Sequence, residues 1–222
     1  MMIGTSKYFH RVPITIGLLD LILVSSLIIA PLTLEPGTVK GLYGGANRID
    51  YWDQWKEMGP FHAAVYLFGD LNCHQIESRT LIINDNQMPV CARDTAIFMG
   101  ILIGSALMFR AEADDSPLNV FRSLFSRRIR KRIEGKMGVV ALIAVIILLM
   151  APTALDGGIQ MFSKLSMWPF SFEYESTNLT RILTGLPTGI AAGMIINMLL
   201  MSLFSRRDDG SEPLISFLVR GK

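Results

Sequence analysis

Residues 138–155 read GVVALIAVIILLMAPTAL and contain no charged side chain in 18 positions. A helix of about 20 residues crosses the hydrocarbon core of a bilayer, which is roughly 30 Å thick. The whole chain has the same bias, since 50% of its 222 residues are hydrophobic and only 18% are charged. Soluble domains carry about 25% charged residues. The sequence therefore predicts an integral membrane protein.

Three further apolar segments complete the predicted bundle. VPITIGLLDLILVSSLIIAPLTL (12–34) has one charge in 23 residues, and ILTGLPTGIAAGMIINMLLMSLF (182–204) has none in 23. TAIFMGILIGSALMF (95–109) has only 15 residues and spans only if its helix extends back toward Val90. We predict an all-α, polytopic membrane helix bundle in a single domain, 1–222, with transmembrane helices at about 12–34, 91–110, 137–155 and 181–204.

The sequence supports one further prediction for each of two segments. The first is interpreted as a retained anchor and not as a signal peptide, because its apolar run is too long and no Ala-x-Ala cleavage site follows it. The third is expected to end at Gly157 and Gly158, because paired glycines favour a helix stop.

The basic residues predict the orientation. The segment 110–136 links the second and third predicted helices, and positive residues in short loops stay on the cytoplasmic side. This predicts a multipass protein of the cell membrane with both termini cytoplasmic, whose basic loop contacts anionic lipid headgroups. A net charge of +2 is too small to indicate a nucleic-acid partner. The basic residues of the loop are Arg110, Arg122, Arg127, Arg128, Arg130, Lys131, Arg132 and Lys136.

The segment FHAAVYLFGDLNCHQIESR (61–79) predicts a short interfacial or re-entrant helix on the outer side. Its apolar part is too short to span, and its polar side chains fall within one stripe at helical spacing. The stripe is either one wall of a functional site or the solvent-exposed face of an amphipathic helix. Its members are His62, Tyr66, Asp70, Cys73 and Glu77.

Both cysteines of the chain, Cys73 and Cys91, fall on the predicted outer side. Thiols outside the cytoplasm favour a disulfide. Two alternatives stay open. The first is a metal site, with zinc as the candidate ion and Cys73, Cys91, His74 or His62, and a carboxylate as its ligands, since zinc prefers thiolate and imidazole. The second is a nucleophilic thiol.

Two arginines lie at positions where their charge is expected to need a negative partner. Arg93 lies at a membrane edge, where a charged side chain is expected to pair, with Asp94, Glu77 or Asp156 as candidate partners. Arg181 falls in the first turn of the fourth helix, capped by Ser176 or Asn178. A cation there opposes the helix dipole. An acidic residue or an anionic ligand is therefore expected beside Arg181.

Small residues at four-residue spacing predict which helices pack together. Gly185, Gly189 and Gly193 recur on the fourth helix, and Ala96, Gly100 and Gly104 on the second. Such residues let helices approach closely in lipid. Packing of these two helices is expected to bring the motifs around Cys91 and Arg181 into one site.

Asp20 is the lone carboxylate within a predicted span. An ionisable group inside the membrane is a functional candidate by default. Asn197 lies at a similar predicted depth, and we expect the two intramembrane polar side chains to form a hydrogen bond. Protonation of Asp20 would reduce the cost of its burial.

Four stretches of the chain, CHQIESR (73–79), PVCARDTAIFMG (89–100), DGGIQ (156–160) and STNLTRILTG (176–185), form a recognisable set. They resemble an uncharacterised domain-of-unknown-function family of small multipass membrane proteins from archaea and bacteria. Its pattern runs roughly C-H-Q-x-x-x-R, P-V-C-x-R-x-x-G-x-x-x-G, D-G-x-x-Q and S-x-N-x-x-R-x-x-T-G, and this chain departs from it at Ala96. The resemblance covers about residues 60–195 and implies no activity. The residues it singles out are Cys73, His74, Gln75, Arg79, Cys91, Arg93, Gly100, Gly104, Asp156, Gly157, Gln160, Ser176, Asn178, Arg181, Thr184 and Gly185.

The first functional hypothesis is a membrane enzyme with a polar extracytoplasmic site for a lipid-linked or phosphorylated substrate. Guanidinium groups match the geometry of phosphate, and a carboxylate, an imidazole or a thiol could act as base or nucleophile. The expected substrate-binding residues are Arg79, Arg93, Gln160, Asn178 and Arg181, and the expected catalytic residues are Cys73, His74, Cys91 and Asp156.

Two other hypotheses stay open. One is a non-catalytic membrane scaffold or assembly factor, whose outer cap is held by a bridge between Cys73 and Cys91. The other is a small transporter or channel component that uses Asp20. The sequence leaves open whether the protein is an enzyme, and whether it is a homo-oligomer.

Overall fold

The computed structural model describes residues 11–45, 47–165 and 173–208, with side chains described as far as residue 205. The described chain is mostly helical, as predicted, but it also contains a small antiparallel sheet that the all-α prediction lacks. The helices are α1 (Arg11–Thr33), α2 (Trp52–Trp55), α3 (Pro60–Asn72), α4 (Ala92–Met108), α5 (Pro117–Ser123), α6 (Arg127–Arg132), α7 (Lys136–Lys164) and α8 (Asn178–Asp208). The strands are β1 (Thr80–Ile83) and β2 (Asn86–Cys91).

Three of the described helices, α1, α7 and α8, are long and apolar enough to cross a membrane. The fourth predicted span corresponds to α4, which has only 17 residues and is about 25 Å long at 1.5 Å per residue. It packs against both α1 and α8. Three of the four predicted spans are thus confirmed by length and composition, and the count of four is not.

The predicted end of the third helix at Gly157 and Gly158 is wrong, because α7 continues through both glycines to Lys164. A Cβ atom at position 157 would lie 3.2 Å from Nη1 of Arg93. The first glycine therefore makes room for the guanidinium group and does not end the helix. As a consequence, Asp156 and Gln160 lie on the same helix, one turn apart.

The predicted packing of the second and fourth helices is confirmed by the contact of α4 with α8. A Cβ atom at Gly100 would overlap the carbonyl oxygen of Leu186, and one at Gly189 would overlap that of Ile97. One turn before Gly189, a Cβ atom at Gly185 would come within 2.6 Å of the carbonyl oxygen of Arg93. The glycines therefore set the distance between the two backbones.

The predicted hydrogen bond between Asp20 and Asn197 is wrong. Both side chains are buried, but Nδ2 of Asn197 donates to Oγ of Ser105 at 3.0 Å and to the carbonyl oxygen of Gly193 at 2.8 Å. Oδ2 of Asp20 and Oδ1 of Asn197 have no hydrogen-bond partner among the described residues. The small residues of α4 and α8 let Asn197 bond across that contact and along its own helix.

Residues 34–91, which we call the hairpin cap, cover one end of the bundle. The predicted interfacial helix over 61–79 is correct only as far as Asn72, where α3 ends. The hairpin of β1 and β2 follows, and its turn residues Asn84 and Asp85 have φ angles of 50° and 58°. Positive φ at both central residues is the geometry that joins tight antiparallel strands. The long polar stripe predicted for this segment therefore does not form.

Buried polar side chains hold the hairpin cap together. Oδ2 of Asp70 accepts the backbone N–H groups of Asp50 at 3.0 Å and Tyr51 at 3.1 Å, and the indole N–H of Trp55 at 2.9 Å. Asp70 is almost fully buried. A buried carboxylate that accepts several hydrogen bonds fixes the chain segments that donate them, because losing any donor leaves a charge under-solvated.

Three buried amide side chains fix the hairpin through hydrogen bonds in the same way. They are Gln75, Asn86 and Gln87. Gln87 accepts the N–H of Leu42 at 3.1 Å and donates to the carbonyl oxygen of Gln75 at 2.6 Å. Gln75 in turn donates to the carbonyl oxygen of Pro89 at 2.9 Å. These bonds tie the segment after α3 to β2, directly before α4 begins.

Residues 109–135, which we call the basic cap, cover the other end of the bundle. The cap contains α5 and α6, and its apolar core joins Val120 and Phe121 to Met198 and Met201 of α8. The RRIRKR sequence of α6 has no buried residue. The positive charges of α6 therefore lie at the surface of this cap.

Replacing Gly189 with alanine should lower the stability of the protein by about 1–3 kcal/mol, because overpacking a close contact forces the backbones apart. Gly158→Ala is the matched control, since a Cβ atom there would meet nothing within 4 Å. Alanine also favours a helix over glycine by about 1 kcal/mol. Thermal unfolding in detergent compares the two variants. Equal melting temperatures would contradict the glycine contact.

Candidate functional site

A cleft of about 410 Å³ opens where the hairpin cap meets α4, α7 and α8. It gathers residues from all four sequence motifs that were expected to form one site. Two expected residues lie outside its lining: Asp156 stands behind it, and Asn178 donates to the carbonyl oxygen of Thr80 at 3.2 Å. The expected residues that line the cleft are Cys73, His74, Arg79, Cys91, Arg93, Gln160 and Arg181.

Arg93 forms an ion pair with Asp156, one of its three candidate partners. Asp156 also accepts the hydroxyl of Tyr174 at 2.7 Å and that of Ser176 at 2.8 Å. Both carboxylate oxygens are thus occupied, and the side chain is 6% exposed. The hydrogen bond to this carboxylate raises the pKa of Tyr174 above its ordinary value. The arrangement holds Arg93 at the cleft and leaves Asp156 little access to a substrate proton.

Glu175, which the sequence analysis did not select, pairs with three of the cations that line the cleft. Its carboxylate lies 2.7 Å from Nε of Arg79, 3.3 Å from Nζ of Lys164 and 3.3 Å from Nη2 of Arg181. The hydrogen bond from Arg79 lowers the pKa of Glu175, and the charges of Arg79 and Lys164 add to that effect against a smaller opposing effect of burial. Three cations therefore share one carboxylate, whose side chain is 46% exposed.

Arg181 is 3% exposed and lies in the first turn of α8, as predicted. Besides Glu175, it contacts Oε1 of Gln160 at 3.1 Å, and its Nε donates to the carbonyl oxygen of Ser176 at 3.1 Å. The expected acidic compensation is therefore present. It comes from a residue three positions before the helix begins.

The predicted cap of this helix was placed one residue away from the observed one. Oγ1 of Thr177 accepts the N–H of Thr180 at 3.2 Å, which is the usual geometry of a helix N-cap. The alternatives proposed from the sequence, Ser176 and Asn178, bond instead to Asp156 and Thr80. Their side chains connect α8 to α7 and to the hairpin.

Cys73 and Cys91 are both free and lie 3.9 Å apart, about twice the length of a disulfide bond, so the predicted disulfide is not supported. The backbone N–H of Cys91 donates to Sγ of Cys73 at 3.3 Å, and the Cys91 thiol contacts Oδ2 of Asp94 at 3.2 Å. Their mutual hydrogen bond raises the pKa of Cys73 and lowers that of Cys91. Cys91 is therefore the more acidic thiol.

His74 stands apart from these thiols. It lines the cleft with an exposed side chain, and its carbonyl oxygen accepts the N–H of Gly44 at 2.8 Å. The compact donor group consists of Cys73, Cys91 and Asp94. Of the predicted ligands, the fold brings together the two thiols and a carboxylate, and His74 lies outside this group.

The residues that the sequence analysis missed carried a weak signal. Tyr174 and Glu175 directly precede the recognised STNLTRILTG motif, in which Arg181 was already expected to need an acidic partner. Pairing of distant residues cannot be assigned from spacing alone, because Arg79 and Glu175 are 96 positions apart. Asp94 was a candidate partner of Arg93, and it lies beside the thiol of Cys91 instead.

The model of one protein family, described as "Predicted membrane protein (DUF2085)", matches residues 73–195. The match covers more than half of the chain and spans the cleft from Cys73 to α8. No curated protein and no solved structure matches the chain.

Glu175→Gln should destabilise the protein by about 1 kcal/mol at neutral pH, because Arg181 stays buried while its exposed partner loses its charge. The pKa of Glu175 is lowered from 4.5 by folding. Its contribution is therefore complete above pH 4.5 and disappears as the pH falls through the folded-state pKa. Melting temperatures of wild type and variant should differ at neutral pH and converge in acid.

Asp85→Asn, which removes an exposed ion pair with Lys40, is the control for this experiment. An exposed pair contributes less than about 1 kcal/mol. A Glu175→Gln variant that loses no more stability than this control would refute the role assigned to Glu175.

Proposed function

We propose that this chain, which belongs to that family of predicted membrane proteins, binds the anionic group of a lipid-linked or phosphorylated substrate in its cleft. We place the cleft on the extracytoplasmic side of a bundle with four transmembrane helices: α1, α4, α7 and α8. Both termini are then cytoplasmic.

The charge of the two caps supports this topology. Eight Lys and Arg residues fall within 110–136, on or beside the basic cap, and short loops rich in such residues remain in the cytoplasm. This side of the protein would then meet the anionic headgroups of the inner leaflet. Four spans follow if α4 crosses the membrane, and its contacts with α1 and α8 place it within the bundle.

Alkaline phosphatase fusions test the topology, because the enzyme is active only after export. A fusion after Asp85, in the hairpin turn, should be active, and one after Ser126, in the basic cap, should be inactive. Active fusions at both sites would show that α4 does not cross the membrane. Inactivity after Asp85 would contradict the extracytoplasmic location of the cleft.

The observation that carries the binding proposal is the convergence of Arg79, Lys164 and Arg181 on the single carboxylate of Glu175. Counting Asp94, which also lines the cleft, two carboxylates face these three cations, because the fourth cation, Arg93, pairs with Asp156. A cluster of this kind favours an additional anion. A phosphate group carries the charge and the several acceptor oxygens that such a cluster of donors requires.

A second feature supports the same ligand. Nε of Arg93 is a buried donor without a hydrogen-bond partner among the described residues, and Arg93 lines the cleft. Leaving a buried donor unsatisfied costs about 1–3 kcal/mol. An oxygen of a bound anion would satisfy it.

The cleft also restricts which residues could carry a reaction on that ligand. Cys73, His74 and Cys91 line the cleft, so each can approach a bound substrate. Asp156 is occupied by Arg93, Tyr174 and Ser176, which favours a positioning role for it over that of a general base.

Titration of the detergent-purified protein with inorganic phosphate and with short-chain phosphatidic acid tests the proposed binding. Arg79→Gln should weaken the binding about tenfold, because a charge-assisted hydrogen bond contributes about 1.5–3 kcal/mol. Isothermal calorimetry measures the affinity. Tighter binding of phosphatidic acid than of phosphate would identify a lipid-linked ligand, and the reverse order would identify a soluble phosphorylated one.

Arg48→Gln is the matched control, since Arg48 also lies in the hairpin cap, is 74% exposed and pairs with Asp50 outside the cleft. Its affinity should equal that of the wild type. Equal losses in both arginine variants would mean that the anions respond to overall charge, and the cleft proposal would then fail. If Arg79→Gln folds poorly, the anion affinity of Lys164→Gln tests the same cluster, because Lys164 is at an exposed position.

A further inference from the structure

The N-terminus of α4 holds a compact group of three potential metal ligands: Cys73, Cys91 and Asp94. Their sulfur and carboxylate oxygen atoms all lie within 4.8 Å of one another. We propose that this group binds a thiophilic divalent cation, with Zn²⁺ as the ion that its chemistry fits, and leaves one coordination position open to the cleft. The inference goes beyond the proposed anion binding and rests on different residues.

The spacing of the thiols agrees with coordination. Two thiolates on one tetrahedral zinc ion, each about 2.3 Å from it, lie about 3.8 Å apart. Cys73 and Cys91 are 3.9 Å apart, and Oδ2 of Asp94 is 3.2 Å from Sγ of Cys91. A small adjustment of side-chain rotamers would therefore suffice for all three atoms to bind one ion.

Asp94 supplies the second, independent indication. Three arginines and a lysine line the same cleft, yet Asp94 forms no ion pair within the described part of the chain. Among the described residues, its carboxylate accepts a hydrogen bond from the thiol of Cys91. A carboxylate that turns toward two thiols, with cations available nearby, has the arrangement of a metal ligand.

The backbone positions of the ligands are fixed before any ion binds. Cys73 caps the C-terminal end of α3, and Cys91 caps the N-terminal end of α4. A Cβ atom at Gly69 of α3 would overlap the carbonyl oxygen of Pro89, so α3 and β2 are in direct backbone contact. The buried side chain of Gln75 bonds to the same carbonyl group. Ligands held on rigid elements lose little entropy when they coordinate an ion.

The charge balance also fits a dication. Two thiolates and a carboxylate carry three negative charges, and a divalent ion leaves one in excess. The N-terminus of α4 carries a partial positive charge, and Arg93 and Arg181 line the same cleft. Three protein ligands with an open fourth position are typical of catalytic zinc sites, whereas structural sites are closed by four. An oxygen of the anionic substrate could occupy that position.

Metal titration of the intact, detergent-purified protein tests this proposal in buffer without phosphate or added lipid. After removal of metal by a chelator, Zn²⁺ is titrated against a chromophoric competitor, and Co²⁺ is added separately to detect thiolate-to-cobalt charge-transfer absorption. The protein should bind one ion per chain and show that absorption. Cys91→Ser should abolish both, and Asp94→Asn should weaken zinc binding by about tenfold or more.

His74→Ala is the matched control, because His74 lines the same cleft outside the ligand group, and its zinc affinity should equal that of the wild type. Loss of zinc in His74→Ala with retention in Asp94→Asn would overturn the ligand set. Failure of the wild type to bind one ion, or an intramolecular disulfide in the protein purified without reductant, would overturn the site. If Cys91→Ser does not fold, the zinc affinity of Asp94→Asn still tests the proposed site.

The two proposals fail separately. A protein that binds phosphate but no zinc would retain the anion site and lose the metal site. A protein that binds zinc through Cys91, but whose phosphate binding does not depend on Arg79, would retain the metal site and lose the anion site.

Discussion

The close contact of α4 with α8 is the constraint on which the rest of the structure depends. Lipid gives helices no hydrophobic reason to associate, so packing must supply the attraction, and backbones attract each other well only when small residues let them touch. Gly100 and Gly189 provide that contact. Because Gly185 touches the carbonyl group of Arg93, the same contact brings the start of α4 to the first turns of α8. Everything polar in the cleft is arranged around that junction.

The sequence predicted the parts of this arrangement that depend on regular spacing. Apolar runs located the long helices, and the four-residue repeat of glycines identified which two of them pack. The expected meeting of Cys91 with Arg181 followed from that packing, and both residues line the cleft. These predictions succeeded because helical periodicity is a local property, and because the membrane leaves few alternatives to a helix bundle.

The failed predictions concern contacts between distant segments. The hairpin of β1 and β2 was missed because its few residues carry no strong alternation, although Asn84 and Asp85 suit a tight turn. Gly157 appeared to end a helix, yet it accommodates Arg93. Glu175 was overlooked because a short loop gives no periodic signal. In each case a tertiary neighbour, invisible in the local sequence, decided the outcome.

The two acidic residues that hold the arginines show how a structural charge differs from a ligand-binding one. Asp156 is buried, pairs with one cation, and accepts two hydroxyl groups, so its environment is complete without a ligand. Glu175 is half exposed and faces three cations. If the fold needed only to neutralise its arginines, Glu175 would be expected to pair with a single cation, as Asp156 does, because an unbalanced cluster of like charges lowers stability. The second arrangement leaves three cations around the single charge of Glu175, and the proposed anion binding rests on this difference between the two acidic residues.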